Sequence, residues 1–432
     1  MTHPSPDHWR SWQGLLALLS LLLCGLLWLN GLVGSLERPS VGNALELRQQ
    51  ELAVLAEPAL PAIWRQPLLG ADPTASLRQQ LERQAKASDS GLSRDQLYTW
   101  SLLEQLAGQQ QRAQDLMAVP PASPTPLQRR LQCELNGADR RRCSEPTVAA
   151  TALRRLLLVT LAPALMMLLG VALLLRQLWL LGRRRLPPVP ALQGPDLSLV
   201  QVTLVVAGGF VVLGELLIPA VLAPLLRALL QPLAADPLLQ QAASVLLLYA
   251  ALMLSPLLLL TLFLRQRPEE PPAGGWLQWR WRPWLPSLLR ALVQLLMVLP
   301  LVALAGWLQQ HLWSEPSGSN PLLEMVLSNS SPPALLLLAS TALLLAPLFE
   351  ETLFRGLLLP VLARHWGGGW GVVLSAACFA LAHLSLGELV PLFVLGLGLG
   401  WLRLQSGRLG CCALMHSLWN GLTFANLLLL AG

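Results

Sequence analysis

Nine stretches of this chain are apolar over enough residues, or nearly enough, to cross a lipid bilayer, and that pattern constrains its fold more than any other feature. They run at 12–34, 156–180, 198–222, 242–264, 286–308, 334–359, 370–386, 389–403 and 409–430. A helix of about 20 apolar residues spans the ~30 Å hydrocarbon core. The expected fold is therefore all-α: a polytopic transmembrane helical bundle of about nine spans. Composition agrees. The chain is 54% apolar and 12% charged, with a mean hydropathy of +0.52, where a soluble domain carries about a quarter charged residues.

The net charge of +6 is carried almost wholly by arginine, since Lys86 is the only lysine. A basic balance can signal nucleic acid. Here the arginines fall in short clusters between apolar runs, which reads as topology signalling, and no nucleic-acid partner is expected. Lys86 lies outside those runs, which excludes a serine–lysine dyad within the membrane.

Four regions are expected along the chain. Residues 1–34 form an N-terminal anchor span, too long for a signal-peptide core and lacking an A-x-A site. Residues 35–150 form a polar helical segment, in which SLRQQLERQAKASDSGLSRDQLYTWSLLEQLAGQQQRAQDLM has apolar residues at helical spacing and VPPASPTP is a linker. Residues 151–270 form a three-span membrane region, and 271–432 the core that bears the motifs described below.

The loop charges select one orientation. With the N-terminus in the cytoplasm, the inner loops hold Arg183, Arg184 and Arg185, then Arg265, Arg267, Arg280 and Arg282, then Arg364, then Arg403 and Arg408. The short outer loops hold only Arg227. This is a positive-inside pattern, and it places 35–150 outside the cytoplasm, as a multi-pass protein of a cell or thylakoid membrane. Cys133 and Cys143 lie in that segment and are expected to be able to pair there. Cys24, Cys378, Cys411 and Cys412 read as packing residues of apolar helices. WLQWRWRPW, from Trp276 to Trp284, reads as an interfacial aromatic belt with basic anchors. Gly396 and Gly400 read as a small-residue seam for close helix packing.

Polar residues inside the last runs carry the chemistry. Glu350 and Glu351 sit in APLFEETLFRG, and inserting one acid at a helix centre costs about 2.5–3.5 kcal/mol. Glu351 and Arg355 are four apart, on one helix face, and can pair. Glu350 is turned about 100° away with no partner in its own helix, which suits it to accept and return a proton. His383 follows in the seventh run, one turn after Phe379. His416 and Asn420 share a face of the ninth run and can offer donors to an oxyanion. Glu215, in GELLIPA, is a further intramembrane acid, read either as part of a polar cavity or as a paired acid near a helix break.

Taken in order, Glu350-Glu351-x-x-x-Arg355, Phe379-x-x-x-His383 and His416-x-x-x-Asn420 resemble the three signature motifs of the CPBP family, the CAAX prenyl protease 2 and bacteriocin-processing (Abi) group. The resemblance covers about 334–430. The flanking SNPLL (319–323), APLFEETLFRG and FALAHLSLGEL are similar to its cyanobacterial and plastid branch. It implies an intramembrane endopeptidase whose site opens toward the cytoplasmic side and whose partner is a membrane protein or lipid-linked peptide within the bilayer. By that resemblance Glu350 and His383 activate water, His416 and Asn420 stabilise the oxyanion, and Glu351, Arg355 and Phe379 support the site. The family is often labelled metalloprotease, and Glu350, His383 and His416 could supply three ligands to zinc. With no HExxH motif those ligands would come from separate helices, and the preferred mechanism requires no cofactor. The alternatives are a membrane scaffold or immunity-like protein of the same family that has no need of catalysis, and a transporter. The transporter reading lacks the internal repeat such folds show.

Overall fold

A computed structural model describes residues 12–38, 41–87, 92–116, 118–140, 142–185, 188–233, 235–312, 321–328 and 331–431. Ser319 and Asn320 of the SNPLL flank lie outside the described residues. Among the described residues every regular element is helical. Two compact units form, one from the described residues up to Arg38 with Met166–Ala425, the other from the described parts of Pro39–Leu165 and Asn426–Gly432.

The first part of the chain forms α1 (Trp12–Ser35), α2 (Val41–Ala56), α3 (Ala62–Leu69), α4 (Pro73–Ala87), α5 (Arg94–Leu106), α6 (Gln110–Asp115) and α7 (Pro126–Leu135). Helices α2 to α7 belong to the smaller unit, and their starts are written locally. Ser93 and Gln96 exchange side-chain and backbone hydrogen bonds at the head of α5, and Thr125 and Gln128 do the same at α7. Each such capping box satisfies two amide donors that a helix start otherwise leaves unpaired. Leu47, Val54, Leu77, Leu81, Trp100, Leu103 and Leu131 form one core. Arg130 is buried beside it, paired with Glu57 at 2.9 Å and Glu134 at 2.8 Å. Cys133 and Cys143 are joined in a disulfide, with Cα atoms 5.5 Å apart.

The rest is long and apolar: α8 (Pro146–Gly182), α9 (Leu199–Leu229), α10 (Pro237–Arg265), α11 (Trp284–Leu312), the short α12 (Pro321–Ser328), α13 (Pro332–Leu381), α14 (Leu389–Ser406) and α15 (Leu409–Ala431). With α1, eight of these are long and apolar enough to cross a membrane, as expected of a multi-pass membrane protein. The nine expected runs fit in eight helices because α13 holds two of them. Its 50 residues would measure about 75 Å if straight, more than twice the bilayer core. The helix breaks at Gly367, where φ is +84° and ψ 160°, a conformation only glycine adopts without strain. Two arms then fold back on each other. The Ser375 hydroxyl donates to the Phe354 carbonyl at 2.8 Å, and the Phe354 and Phe379 rings meet edge to face at 5.5 Å.

Packing around α13 draws the site together. Phe210 of α9, Met253 of α10, Val298 of α11, Phe349, Leu353 and Phe379 of α13, Leu399 of α14 and Met415 of α15 share one core. Gly396 and Gly400 let α14 lie directly on the second arm of α13. A Cβ at Gly396 would stand 2.9 Å from that of Ala376, and one at Gly400 2.9 Å from Val372. In the WLQWRWRPW belt Trp279 and Trp281 stack at 5.4 Å, and Arg408 donates to the Arg282 carbonyl at 2.8 Å. Arg403 departs from the expectation of a loop charge. It sits in the last turn of α14, fully buried, and donates to the Gln193 carbonyl at 2.8 Å and the Arg355 carbonyl at 3.3 Å. Helix α14 continues past the end of its apolar run, and carbonyl oxygens take up a charge that the run length assigned to a loop.

Candidate active site

The two glutamates lie near the middle of the first arm of α13, on a short α-helical stretch (Ala346–Glu351) bounded by wide π-type turns at Thr341–Leu345 and Thr352–Leu358. Such turns leave backbone register and side-chain direction locally altered, and they recur at functional sites. The two carboxylates face different partners.

Glu351 is fully buried. Its Oε1 accepts from the Arg355 guanidinium at 2.8 Å and lies 2.9 Å from His416 Nδ1. A carboxylate that already holds Arg355 acts as an acceptor, so the imidazole proton belongs on Nδ1. This leaves His416 Nε2 pointing toward the other acid, 3.8 Å from Glu350 Oε2. Arg355 is also fully buried, with its guanidinium 4.3 Å from the centre of the Phe379 ring and within 3.3 Å of the Gly396 carbonyl.

Glu350 is held from a different helix. Tyr249 of α10 donates its hydroxyl to Glu350 Oε1 at 2.9 Å. The second oxygen, Oε2, is buried without a hydrogen bond from the protein. Two imidazole nitrogens approach it, His383 Nε2 at 3.9 Å and His416 Nε2 at 3.8 Å. His383 Nδ1 lies 2.8 Å from the Phe379 carbonyl. A carbonyl can only accept, so Nδ1 carries the proton and a neutral His383 presents its lone pair at Nε2. The Phe379 ring sits edge-on to both imidazoles, at 4.7 Å from His383 and 5.7 Å from His416, and helps fix their planes.

The structure thus brings Glu350, His383 and His416 to one point and places Glu351, Arg355 and Phe379 around it. Asn420 stands apart from that set of contacts, its amide donating to the Ala342 carbonyl at 2.7 Å on the same arm of α13. Glu215 lies in α9 close to Trp28 and Tyr249 rather than among the histidines. Two contributors escaped the motif reading. Tyr249 is one of only two tyrosines in the chain, and a lone phenol in an aliphatic span was its available signal. Arg403 was hidden by its place at the end of an apolar run.

Zinc is the metal that the family label raises. A tetrahedral ion with ligands at ~2.0–2.2 Å sets its ligand atoms about 3.4 Å apart. The Oε2–Nε2 separations of 3.9 and 3.8 Å are wider. Among the described residues no group of three His, Cys, Asp or Glu side chains is arranged to hold a metal ion. As placed, the residues do not fit zinc.

Known proteins give the site a context. Residues 332–422 match the family described as type II CAAX prenyl endopeptidase Rce1-like, a stretch that contains all seven motif residues. Residues 42–125 match a domain of unknown function (DUF8675). The chain is 34% identical over 103 residues to an uncharacterized 24.3 kDa protein of Escherichia coli, an alignment covering 23% of this chain and 48% of that protein. The chain therefore spans about half the length of the curated relative it matches. No solved structure matches it.

Proposed function

We propose that this chain is an intramembrane endopeptidase that hydrolyses a peptide bond of a membrane protein or lipid-linked peptide by glutamate/histidine-activated water, without a resident metal. One observation carries the reading. Two acceptors, the buried Glu350 Oε2 and the His383 Nε2 lone pair, face each other at 3.9 Å. That spacing suits one water molecule donating a hydrogen bond to each at ~2.7–3.0 Å, with its oxygen lone pair left for a carbonyl carbon.

In the proposed reaction Glu350 takes a proton from that water as its oxygen bonds to the scissile carbonyl carbon. The carbonyl oxygen becomes an oxyanion. His416, protonated on both ring nitrogens with Glu351 as counter-ion, offers Nε2–H toward it, and the Asn420 amide, turned from the Ala342 carbonyl, supplies a second donor. Collapse of the tetrahedral intermediate breaks the C–N bond, and Glu350 returns the proton to the leaving amine. Tyr249 supports this by fixing Glu350 Oε1, so that Oε2 is the oxygen presented to the histidines. The orientation expected from the loop arginines, with 35–150 outside the cytoplasm, is part of the same proposal. The Cys133–Cys143 disulfide is compatible with it.

The test compares membranes containing the wild type with membranes containing Glu350→Gln at equal abundance, by substrate-trapping proteomics. The expected outcome is a set of membrane-derived peptides lost in the variant, with intact precursors retained on it. Loss of activity of roughly 10²–10⁴-fold is the range for removing a general base. Identical peptide profiles would refute the protease reading and favour a scaffold. Metal analysis of the purified protein with and without His416→Ala separates this mechanism from a zinc route: stoichiometric zinc lost with His416 would overturn the metal-free chemistry.

A further inference from the structure

Helix α3 (Ala62–Leu69) in the smaller unit leaves an apolar face exposed among the described residues. Ile63 is 76% exposed, Trp64 56% and Leu68 38%. At 100° per residue, Ile63, Pro67, Trp64 and Leu68 fall on one arc of about 140°. Leu69, on the far side of the helix, is buried. The helix is amphipathic in the reverse of the usual sense, with its bulkiest apolar side chains turned away from the core.

Its inner neighbours show what lies at that level. Leu60, just ahead of α3, and Leu69, its last residue, share a cluster with Leu52, Ala53 and Ala56 of α2, Ala152 and Leu156 of α8 and Leu430 of α15. Arg154 and Arg155 fall between Ala152 and Leu156, and the apolar run of α8 begins directly after them. Beyond that point Leu158 and Leu165 are exposed on α8, as lipid-facing side chains of a span are. Helix α3 is therefore joined through this core to the stretch where α8 passes from its basic turn into its apolar run. Trp and Arg are the residues that settle at this boundary, and α3 carries both, as Trp64 and Arg65. A second protein copy is a poor occupant. Three side chains on two helical turns offer on the order of a few hundred Å², against about 800 Å² per partner in a stable interface.

We propose that α3 is an interfacial helix that lies on the bilayer surface, burying Ile63, Trp64 and Leu68 among phospholipid headgroups and upper acyl chains. It is a lipid-contact site of the smaller unit and independent of proteolysis. The test places a photoreactive diazirine amino acid singly at Ile63, Trp64 or Gln66 in the full-length chain, reconstituted in phosphatidylcholine–phosphatidylglycerol vesicles, with adducts read by mass spectrometry. Phospholipid adducts severalfold more abundant at positions 63 and 64 than at 66 are expected, and equally so in a Glu350→Gln background. Equal lipid yields at all three positions, whether from a solvated helix or from an unfolded one, would overturn the proposal. So would adducts at 63 and 64 that join two copies of the chain.

Discussion

Tyr249 and Glu351 take opposite parts in one carboxylate pair, and substitutions at each should read out differently. Tyr249→Phe keeps the ring against Phe349, where the centroids lie 6.3 Å apart, and removes only the hydroxyl that Glu350 Oε1 accepts from. A hydrogen bond to a charged group nets about 1.5–3 kcal/mol. The expected result is a roughly 10- to 100-fold fall in kcat with KM little changed, measured on a substrate identified by trapping. Glu351 is different because it neutralises a fully buried guanidinium. Glu351→Leu alone strands Arg355, and breaking such a pair costs about 3–5 kcal/mol. The double variant Glu351→Leu/Arg355→Leu should recover much of that loss in thermal unfolding. It should stay inactive, since His416 Nδ1 has lost its acceptor. Recovery of activity in the double variant would show that the His416–Glu351 contact is dispensable.

Among the helices, the seam between α14 and the second arm of α13 leaves no spare room. Gly396 meets Ala376 at a distance where no added methyl fits without movement. Gly396→Ala should destabilise the protein by about 1–3 kcal/mol through overpacking. Ala376→Gly should return part of it, because the two sites touch and their effects are coupled. Thermal unfolding in detergent of both single variants and the double variant measures this. Additive losses would mean that the seam is not where α14 is held. The consequence reaches the site, since Arg355 lies within 3.3 Å of the Gly396 carbonyl.

Across the whole chain the loop arginines and the disulfide make a joint prediction. A periplasm-active reporter fused within 120–125 should be active, and one fused after Arg185 inactive, if the positive-inside pattern sets the orientation. In the same orientation Cys133 and Cys143 should resist alkylation until reduced. Replacing both with serine should lower the stability of the smaller unit by ~2–3 kcal/mol for so short a loop. An active reporter after Arg185, or free thiols in the intact protein, would reverse the assignment.

How much of this was legible beforehand depends on the range of the physics involved. Hydrophobic run length is a local property of the chain, and it alone marked the all-α membrane class. The i, i+4 spacing is local as well, so Glu351–Arg355 and the shared face of His416 and Asn420 could be read directly. Run length could not tell that Gly367 folds two runs into one 50-residue element, since that rests on a single backbone dihedral. Nor could it tell that Arg403 would be buried under carbonyl oxygens. Spacing could not reveal that His416 answers to Glu351 through one nitrogen and faces Glu350 through the other, nor that Tyr249, 101 residues before its partner, fixes the remaining oxygen. The sequence determined by itself which residues carry charge and chemistry inside the membrane. Only the tertiary structure decided which of them meet, because hydrogen bonds between helices depend on crossing and rotation, and these are set by packing of side chains far apart along the chain.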